Sequence, residues 1–567
     1  MFAEAINHIR EDPAAALRKS WNLLSTALIG SSLFSTYESP SIRQFGSTTT
    51  FPPDINLLTA TIQDLQAYLK NGSVTSVGLT KEYLARIELN NYKGLHLRAV
   101  LEVAPYERVL SIAQHYDDLR SEGTIISELH GIPLLIKDNI ATDIELGMNT
   151  TAGSYALVNS IVPGDATVVA KLRAKGAIVL GKASLSEFAM FKASNVQNGW
   201  SARGDQCQSA YVKGGFPAGG DPSGSSSGSA VAVSAGFAPA SLGSETDGSI
   251  VSPAARAAEY GIKPSIGLVS RSGVIPIAAS QDTVGPMAKS TYDAALLLQS
   301  IAGYDEKDKA TLEGKDHLEG DYVKFTQPPF ATFAGKKLGI PRHPMMFNET
   351  MFQGIGGQGL VFEAAFSAAV KKMQDLGADI QDETDIPSMN EWLKDRSHGW
   401  SGSAEWTVLT TEFKRDIAAY LKEMTSSDVR TLEDIVNFHD AHANISFAPG
   451  QCCQDILISA LQTTGTNTPE YLEAVKTNKR IGSTEGLDKV LDDYGLDALI
   501  MPTTEIAHGY PAIVGYPVTT VPLGVFDNGM PFGLSFLGRK WSEPTLIALM
   551  AAFEANFPPR TVPKLLE

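Results

Sequence analysis

Apolar residues along this chain recur first at helical spacing and then in short unbroken runs. The segment DATVVAKLRAKGAIVLGK has an amphipathic helical pattern that Gly176 ends, and Ala177 to Leu180 then predict a strand. The segment VFEAAFSAAVKKMQDLGADI repeats this arrangement, and Gly377 ends its helix. That helix has an apolar face made of Phe362, Phe366, Ala369, Met373 and Leu376. The repeated order of helix and strand predicts an α/β protein.

Two later segments, GLDALIMPT and MPFGLSFLG, have the continuous apolar character of buried strands. Ser542 then stands where a helix N-cap is expected. The helix that follows it has an apolar face made of Leu546, Leu549, Met550 and Phe553. We therefore expect a layered fold with a largely buried mixed sheet. Neither an internal repeat nor a low-complexity linker divides the chain, which favours a single large domain.

The first fifty residues have a different pattern. The segment AAALRKSWNLLSTALIGSSLF predicts a helix, but its charge-free part, residues 20–37, carries too many hydroxyl and amide side chains to cross a membrane. A basic pair precedes the apolar part, as in a secretion signal. The region upstream, which is positively charged in such signals, carries acidic residues here. We expect a cytoplasmic protein without an integral membrane span, with secretion through residues 1–40 as the alternative.

The charge balance limits the partners of this chain. Its 567 residues carry a net charge of −17, which does not attract nucleic acid or anionic lipid. No cysteine pair has the C-x-x-C spacing of a zinc site. His439 and His442 lie about one helical turn apart, but no further ligand cluster completes a metal site, so we expect a surface or capping role for both. The sequence thus predicts neither a metal nor a cofactor, and it leaves the oligomeric state open.

Residues 217–265 contain the densest run of glycine and serine in the chain. These residues permit tight turns and close backbone approach, which catalytic loops use. The helix-like piece AVAVSAGFA inside the run argues against a flexible linker. The motif GSSSG would make Ser226 a nucleophile of the G-x-S-x-G kind, but a loop precedes it where that motif needs a buried strand. Ser249, in GSETDGSI, is the other candidate nucleophile, with a turn serine as the alternative.

A serine hydroxyl becomes a good nucleophile only when a base lies within hydrogen-bond reach. No histidine lies in the run of glycine and serine. Lys137, in HGIPLLIKDNI, follows an apolar strand that would carry it into the interior, where desolvation favours the neutral amine. A strand-end lysine that reaches back to solvent is the alternative.

Three blocks of the chain together resemble the amidase signature family, serine hydrolases that cleave amides with a Ser-cis-Ser-Lys triad. The blocks are HGIPLLIKDNI, DPSGSSSGSAVAVSAGFAPASLGSETDGSIVSPAA and GIKPSIGLVSRSGVIPIAASQDTVGPMA. The resemblance implies the α/β amidase signature fold, a large mixed central β-sheet that helices cover on both faces. It also implies three parts: an N-terminal extension (residues 1–52), the amidase signature domain (residues 53–560) and a C-terminal tail (residues 561–567).

The same resemblance implies a role for each residue of the triad. Ser249 would be the nucleophile, Lys137 the general base, and Ser225, 24 positions before Ser249, the serine that relays the proton between them. In this family the bridging serine follows a cis peptide bond, which here would join Gly224 to Ser225. The implied oxyanion hole consists of the backbone N–H groups of Thr246, Asp247, Gly248 and Ser249.

The local motifs are closer to one branch of this family. TDGSI, GWSARG and SQDTVGPM resemble the peptide-amidase-like branch more than the A-type subunit of the transamidosome, which has TGGSIR. Val251 stands where many members have arginine, Asp247 where many have glycine, and Asp205 where this branch usually has glycine. We therefore predict a serine amidase that hydrolyses a carboxamide through an acyl-enzyme. Its substrate is expected to be a small-molecule or peptide amide, with a peptide C-terminal amide as the candidate.

Two other functions are compatible with the same fold. An acyltransferase or amide synthase would pass the acyl group to an amine instead of water, and a transamidosome A-type subunit would need protein and RNA partners. The less family-like segments, residues 347–358 and 398–429, are expected to supply or cover the substrate pocket. The sequence does not identify which amide is cleaved.

Overall fold

The computed structural model describes only part of the chain. The described residues are 52, 55–343, 359–397, 400–448 and 453–567. The predicted N-terminal helix and the alternative secretion segment, residues 1–40, lie outside the described residues. So does the expected pocket segment, residues 347–358.

Strands occur from residue 100 to residue 537. They are β1 (Val100–Val103), β2 (Pro133–Lys137), β3 (Ile178–Ala183), β4 (Trp200–Ser201), β5 (Asp205–Gln206), β6 (Ala240–Glu245), β7 (Tyr260–Lys263), β8 (Thr283–Ala288), β9 (Lys337–Ile340), β10 (Asp379–Asp382), β11 (Ala498–Pro502), β12 (Val518–Val525) and β13 (Pro531–Leu537). Eleven of them form one sheet in the order β1-β3-β2-β6-β8-β7-β12-β13-β11-β9-β10, and β4 pairs with β5 in a separate ribbon. The large sheet is mixed, with parallel and antiparallel pairs.

Helices alternate with these strands and also fill the long connection between β10 and β11. They are α1 (Ile62–Lys70), α2 (Ser76–Asn90), α3 (Tyr106–Ser121), α4 (Thr167–Ala174), α5 (Ser227–Ser234), α6 (Val251–Arg256), α7 (Thr291–Ile301), α8 (Thr311–Gly314), α9 (Gly359–Asp375), α10 (Met389–Asp395), α11 (Ala404–Glu423), α12 (Leu432–Ala441), α13 (Ala443–Ser446), α14 (Asp455–Leu461), α15 (Pro469–Lys479), α16 (Asp488–Asp493), α17 (Glu505–Val514) and α18 (Glu543–Asn556). No helix among the described residues is long and apolar enough to cross a membrane.

Every residue of the central strands β2, β3, β6, β7 and β8 is buried. Because side chains alternate between the two faces of a strand, complete burial requires that other elements cover both faces. Helix α5 packs on β6, α7 packs on β8, and α6 packs on β12 and β13. The predicted α/β class and the large mixed central sheet are confirmed.

Two neighbouring interior strands of the sheet, β2 and β6, position the predicted catalytic segments. Strands β2 and β6 are parallel neighbours, with Leu135 opposite Ser241 and Ile136 opposite Leu242. Parallel strands have their carboxyl ends at the same edge of a sheet. The residues that end β2 and those that follow β6 therefore come together.

The elements predicted within the described residues are present, with differences at their ends. The strand predicted over Ala177 to Leu180 is β3, which begins one residue later and continues to Ala183. The apolar pattern stops early because the strand contains Lys182, which is fully buried and donates to the hydroxyl of Thr150 at 3.0 Å. Because the buried residue is a charged one, the pattern of apolar residues does not show that the strand continues through it.

Helices α9 and α18 carry the apolar faces that the sequence predicts. Four of the five predicted residues of α9 are buried, whereas Leu376 follows the end of the helix and is half-buried. Ser542 is the N-cap residue of α18, but its side chain makes no capping hydrogen bond. Its hydroxyl donates instead to the carbonyl oxygen of Arg539 at 2.7 Å, so the predicted capping interaction is wrong.

Candidate active site

Lys137 is the last residue of β2 and is fully buried. Its Nζ donates to Ser225 Oγ at 2.8 Å and to the carbonyl oxygen of Ser244 at 2.9 Å. Burial lowers the pKa of this lysine to about 7, although the negative charges of Glu245 and Asp282 oppose the shift. A substantial share of the amine is therefore neutral near pH 7, and it lies against a serine hydroxyl. The alternative of a solvent-exposed lysine is wrong.

The loop before α5 presents two consecutive serines, Ser225 and Ser226, both fully buried. The peptide bond between Gly224 and Ser225 is cis. The N–H of Ser226 donates to the carbonyl oxygen of Ser249 at 3.1 Å, which ties this loop to the segment after β6. The Ser226 hydroxyl donates to the carbonyl oxygen of Ser244 at 3.1 Å. Ser226 thus holds the two loops together, whereas the hydroxyl of Ser225 accepts the hydrogen bond from Lys137.

Ser249 lies in the turn between β6 and α6 and is more accessible than Ser225, with 8% of its surface exposed against 0%. Gly248, immediately before it, has a φ of 81°, in the left-handed region that favours glycine. The carboxylate of Glu245 accepts the N–H groups of Ile250 and Val251 at 2.7 and 3.0 Å. This carboxylate fixes the path of the backbone into α6.

The hydroxyls of Ser225 and Ser249 are not joined by a hydrogen bond in the part of the chain that the structure describes. Their segments are held side by side through the backbone contact of Ser226. Catalytic hydrogen bonds are often long in an enzyme without substrate and shorten in the complex. The structure brings Lys137 and Ser225 into direct contact and places Ser249 in the adjoining turn.

Thr246 connects the turn to the segment before β8. Its hydroxyl donates to Asp282 Oδ1 at 2.6 Å, and Asp282 Oδ2 accepts the N–H groups of Ile277 and Ala278 at 2.8 and 3.0 Å. Burial raises the pKa of Asp282 to about 7, although these hydrogen bonds oppose the shift. The side chain at the start of the turn is therefore held by a carboxyl group that is itself fixed to the backbone.

Sequence reasoning missed a histidine beside this turn. His508, on α17, bonds through Nδ1 to Asp247 Oδ1 at 2.5 Å. Burial alone would lower the pKa of His508, but the carboxylate of Asp247 raises it above its usual value. The two residues are 261 positions apart, so no local motif could have shown the contact.

The predicted surface or capping role of the histidine pair holds for one member only. His442 is exposed and is the C-cap residue of α12. His439 is fully buried, and its ring bonds to Ser154 Oγ and Gln454 Oε1, each at 2.9 Å. The prediction for His439 is wrong because polar partners from two other segments satisfy both ring nitrogens in the interior.

Asp205 departs from the glycine that is usual at its position, and its backbone shows why glycine suits that position. Its φ is 56°, in the left-handed region. Aspartate is among the non-glycine residues that adopt this conformation most readily. Asp205 is the first residue of β5 and pairs with Ser201 of β4 in this conformation.

Comparisons with known proteins identify the family of this chain. Residues 78–510 match the family model described as Amidase. The chain belongs to the amidase signature family. It is a hydrolase that acts on carbon–nitrogen bonds of amides, as the sequence predicts.

Relatives and solved structures of this amidase family match nearly the whole chain. A predicted amidase of Schizosaccharomyces pombe is 36% identical over 565 residues, which cover 94% of this chain and 91% of the relative. The native peptide amidase of Stenotrophomonas maltophilia superposes with a TM-score of 0.79 at 37% identity, covering 91% of this chain and 100% of that chain. The A-type subunit of the glutamyl-tRNA(Gln) amidotransferase from Thermoanaerobacter pseudethanolicus is 30% identical over 518 residues, covering 88% of this chain and 97% of the relative.

Proposed function

We propose that this amidase cleaves its substrate through an acyl-enzyme on Ser249, with Ser225 as the bridging serine and Lys137 as the general base. The hydrogen bond of 2.8 Å between Lys137 Nζ and Ser225 Oγ carries this proposal. A lysine whose pKa is about 7 can accept a proton at neutral pH, which an ordinary surface lysine cannot do. The amine thus has both the position and the protonation state of a base.

The proton path follows from these contacts. As Ser249 Oγ attacks the amide carbonyl, its proton passes to Ser225 Oγ, and the proton of Ser225 passes to the neutral amine of Lys137. The relay then runs in reverse and protonates the leaving nitrogen as the carbon–nitrogen bond breaks, which leaves an ester on Ser249. Water attacks this ester by the same path, releases the carboxylic acid and restores the free hydroxyl.

We propose that the turn before α6 supplies the oxyanion hole through the backbone N–H groups of Thr246, Asp247, Gly248 and Ser249. The turn is held by three carboxylates: Glu245 fixes its exit, Asp282 holds Thr246, and Asp247 is bonded to His508. Fixed N–H groups stabilise the charge that develops on the carbonyl oxygen without reorganisation during the reaction. The loss of one such donor typically raises the barrier by about 3 kcal/mol.

The substitution of Ser249 tests the nucleophile. We expect Ser249→Ala to lower kcat by about 10⁴-fold or more, because the acyl-enzyme can no longer form. Ser252→Ala is the matched control, since it removes a hydroxyl on α6, close to Ser249 in sequence, and should leave kcat within about twofold. Hydroxylamine should trap the acyl group of a turned-over substrate as a hydroxamate with the wild-type enzyme and not with Ser249→Ala. Full amide turnover by Ser249→Ala would disprove the proposal.

We propose a peptide C-terminal amide as the substrate class. The support is the likeness to the peptide amidase of Stenotrophomonas maltophilia, which extends over the whole length of that chain. Turnover of a panel of peptide, fatty-acyl and aryl amides, followed by ammonia release and by the mass of the product acid, tests this class. The highest kcat/KM is expected for a C-terminally amidated peptide, and a clear preference for fatty-acyl or aryl amides would contradict it.

The two other functions have direct tests in the same assay. An acyltransferase would form a new amide when an amine is added, so the product mixture with and without a nucleophilic amine distinguishes it from a hydrolase. A transamidosome A-type subunit would need its partners and tRNA, and the relative of that kind is less similar to this chain than the amidase of Schizosaccharomyces pombe is. We expect the purified chain alone to release ammonia from an amide in the absence of RNA.

A further inference from the structure

His508 contacts two consecutive residues of the proposed oxyanion turn. Its Nδ1 lies 2.5 Å from Asp247 Oδ1. Its ring also lies against the backbone of Gly248: a Cβ atom built at that glycine would come within 2.7 Å of His508 Cε1 and within 2.8 Å of Nδ1. The ring therefore packs on the face of Gly248 that any other residue would fill with a side chain. Both contacts are made to the turn itself.

The pair is enclosed by further charged groups. Arg396 is the residue after α10, and its Nη2 lies 3.8 Å from Asp247 Oδ2. Arg396 also pairs with Glu405 and Glu505. The side chains of Asp247 and His508 are mostly buried, at 16% and 14% exposure. Burial would raise the pKa of Asp247, but His508 and Arg396 together hold it below its usual value. The carboxylate is thus ionised and held from two sides, by α17 and by the end of α10.

These contacts leave few conformations open to the peptide groups between Asp247 and Ser249. An oxyanion donor is effective only when its N–H points at the position that the carbonyl oxygen takes in the transition state, about 2.7–3.1 Å away. Gly248, with a φ of 81°, has no side chain whose packing could fix the orientation of its peptide groups. The ring of His508, which packs against this glycine, restricts that orientation from outside the turn. Asp247 supplies the second point of attachment.

We propose that His508 is a positioning residue for catalysis: its contacts with Asp247 and Gly248 hold the backbone N–H groups of the turn in their productive orientation. This inference rests on the proposed function, since it concerns the oxyanion hole of the Ser249 reaction. His508 acts on the turn and not on the substrate. Its loss should therefore reduce transition-state stabilisation while ground-state binding is largely kept.

Two substitutions of His508 and one control test this role. His508→Leu removes the hydrogen bond, whereas His508→Asn keeps an N–H donor at the place of Nδ1. His115→Leu is the control, because this exposed histidine on α3 lies in another part of the sequence. The measurements are kcat and KM for an amide that the wild-type enzyme turns over, together with thermal melting of each variant. The assay temperature is set below the lowest melting transition.

We expect His508→Leu to lower kcat by about 10- to 100-fold, less than the 100- to 1,000-fold loss typical of a deleted oxyanion donor, while KM changes by less than about threefold. His508→Asn should recover most of this loss, and His115→Leu should leave kcat within about twofold. A second measurement uses Asp247→Asn. Its effect on kcat should be smaller in the His508→Leu background than in the wild type, because both residues act through one contact.

The results separate this inference from the proposed nucleophile. If Ser249→Ala remains active, both ideas are overturned. If Ser249→Ala is inactive but His508→Leu keeps wild-type kcat, or raises KM alone, only the role of His508 is overturned. The role of His508 is also overturned if His508→Asn is as slow as His508→Leu while both variants melt like the wild type. It is overturned as well if the effects of the Asp247 and His508 substitutions on kcat are fully additive.

Discussion

Burial determines the protonation state of Lys137, and thereby the pH at which the site can work. An ordinary lysine has a pKa near 10.4, whereas the interior lowers the pKa of Lys137 to about 7. Below that pH the amine is protonated and cannot accept the proton of Ser225. Above it the amine is neutral and able to act as the base.

We therefore expect kcat/KM to fall on the acid side of about pH 7, by about tenfold for each pH unit once the lysine is mostly protonated. The measurement is a pH profile from 5 to 9 on a substrate whose chemical step limits the rate. Melting curves at each pH show whether the enzyme remains folded. A rate that stays constant from pH 8 down to pH 5 in the folded enzyme would argue against Lys137 as the base.

Gly248 offers a second prediction, with a control elsewhere in the chain. Gly248 and Gly123 have nearly equal φ values of 81° and 82°, so alanine meets the same backbone strain at both. A Cβ atom at Gly123 meets nothing within 4 Å, whereas at Gly248 it collides with the ring of His508. We expect Gly248→Ala to lower kcat at least tenfold, and Gly123→Ala to leave it within about twofold, when both are assayed below their melting temperatures. Equal activity of the two variants would contradict the proposed importance of this contact.

The residues that lie in distinctive local motifs could be predicted, and those whose role depends on distant contacts could not. Lys137, Ser225 and Ser249 stand in blocks whose spacing follows the family pattern, and the structure places Lys137 against Ser225. His508 stands in no comparable motif, and only folding brings it to Asp247. His439 shows the same limit, because its buried position depends on partners from two other segments.

At the level of elements, the apolar period of α9 predicts which of its residues carry stability. Phe366 is fully buried, whereas Leu360 in the first turn of the same helix is 79% exposed. We expect Phe366→Ala to lower the free energy of unfolding by about 3–5 kcal/mol, because it removes a large buried side chain. Leu360→Ala should change it by less than about 0.5 kcal/mol. Thermal or denaturant unfolding of both variants measures the difference, and similar losses from both would show that the helix packs differently.

The elements themselves could be predicted wherever burial and apolar character coincide. Strands β11 and β13 come from segments rich in apolar residues, and every residue of both strands is buried in the sheet. The predicted strand ends before Lys182, although β3 continues through it. Lys182 is buried with polar partners, and a charged residue does not indicate burial in an apolar pattern. The order of the eleven strands could not be derived from the pattern, since pairing between distant strands depends on the whole chain.

For the whole molecule, truncation tests the extent of the amidase domain. The structure of the Stenotrophomonas maltophilia enzyme is matched over its full length by 91% of this chain. The strands that carry the site, β2 and β6, begin at residues 133 and 240. We propose that residues 53–560 form the amidase domain and expect a chain that begins at residue 51 to keep kcat within about threefold of the full chain. Loss of activity in a truncated chain that still melts cooperatively would show that the N-terminal extension contributes to catalysis.

The adjacency of β2 and β6 also bears on how the protein becomes active as it folds. Lys137 ends one of these strands and Ser249 follows the other, so more than 100 residues of chain must be closed into a loop before the two can meet. Helices form from local contacts, whereas such distant strand pairing is slow. During refolding, enzyme activity should therefore return later than the far-ultraviolet circular dichroism signal of the helices. The return of enzyme activity would then measure when the pairing of β2 with β6 in the central sheet is complete.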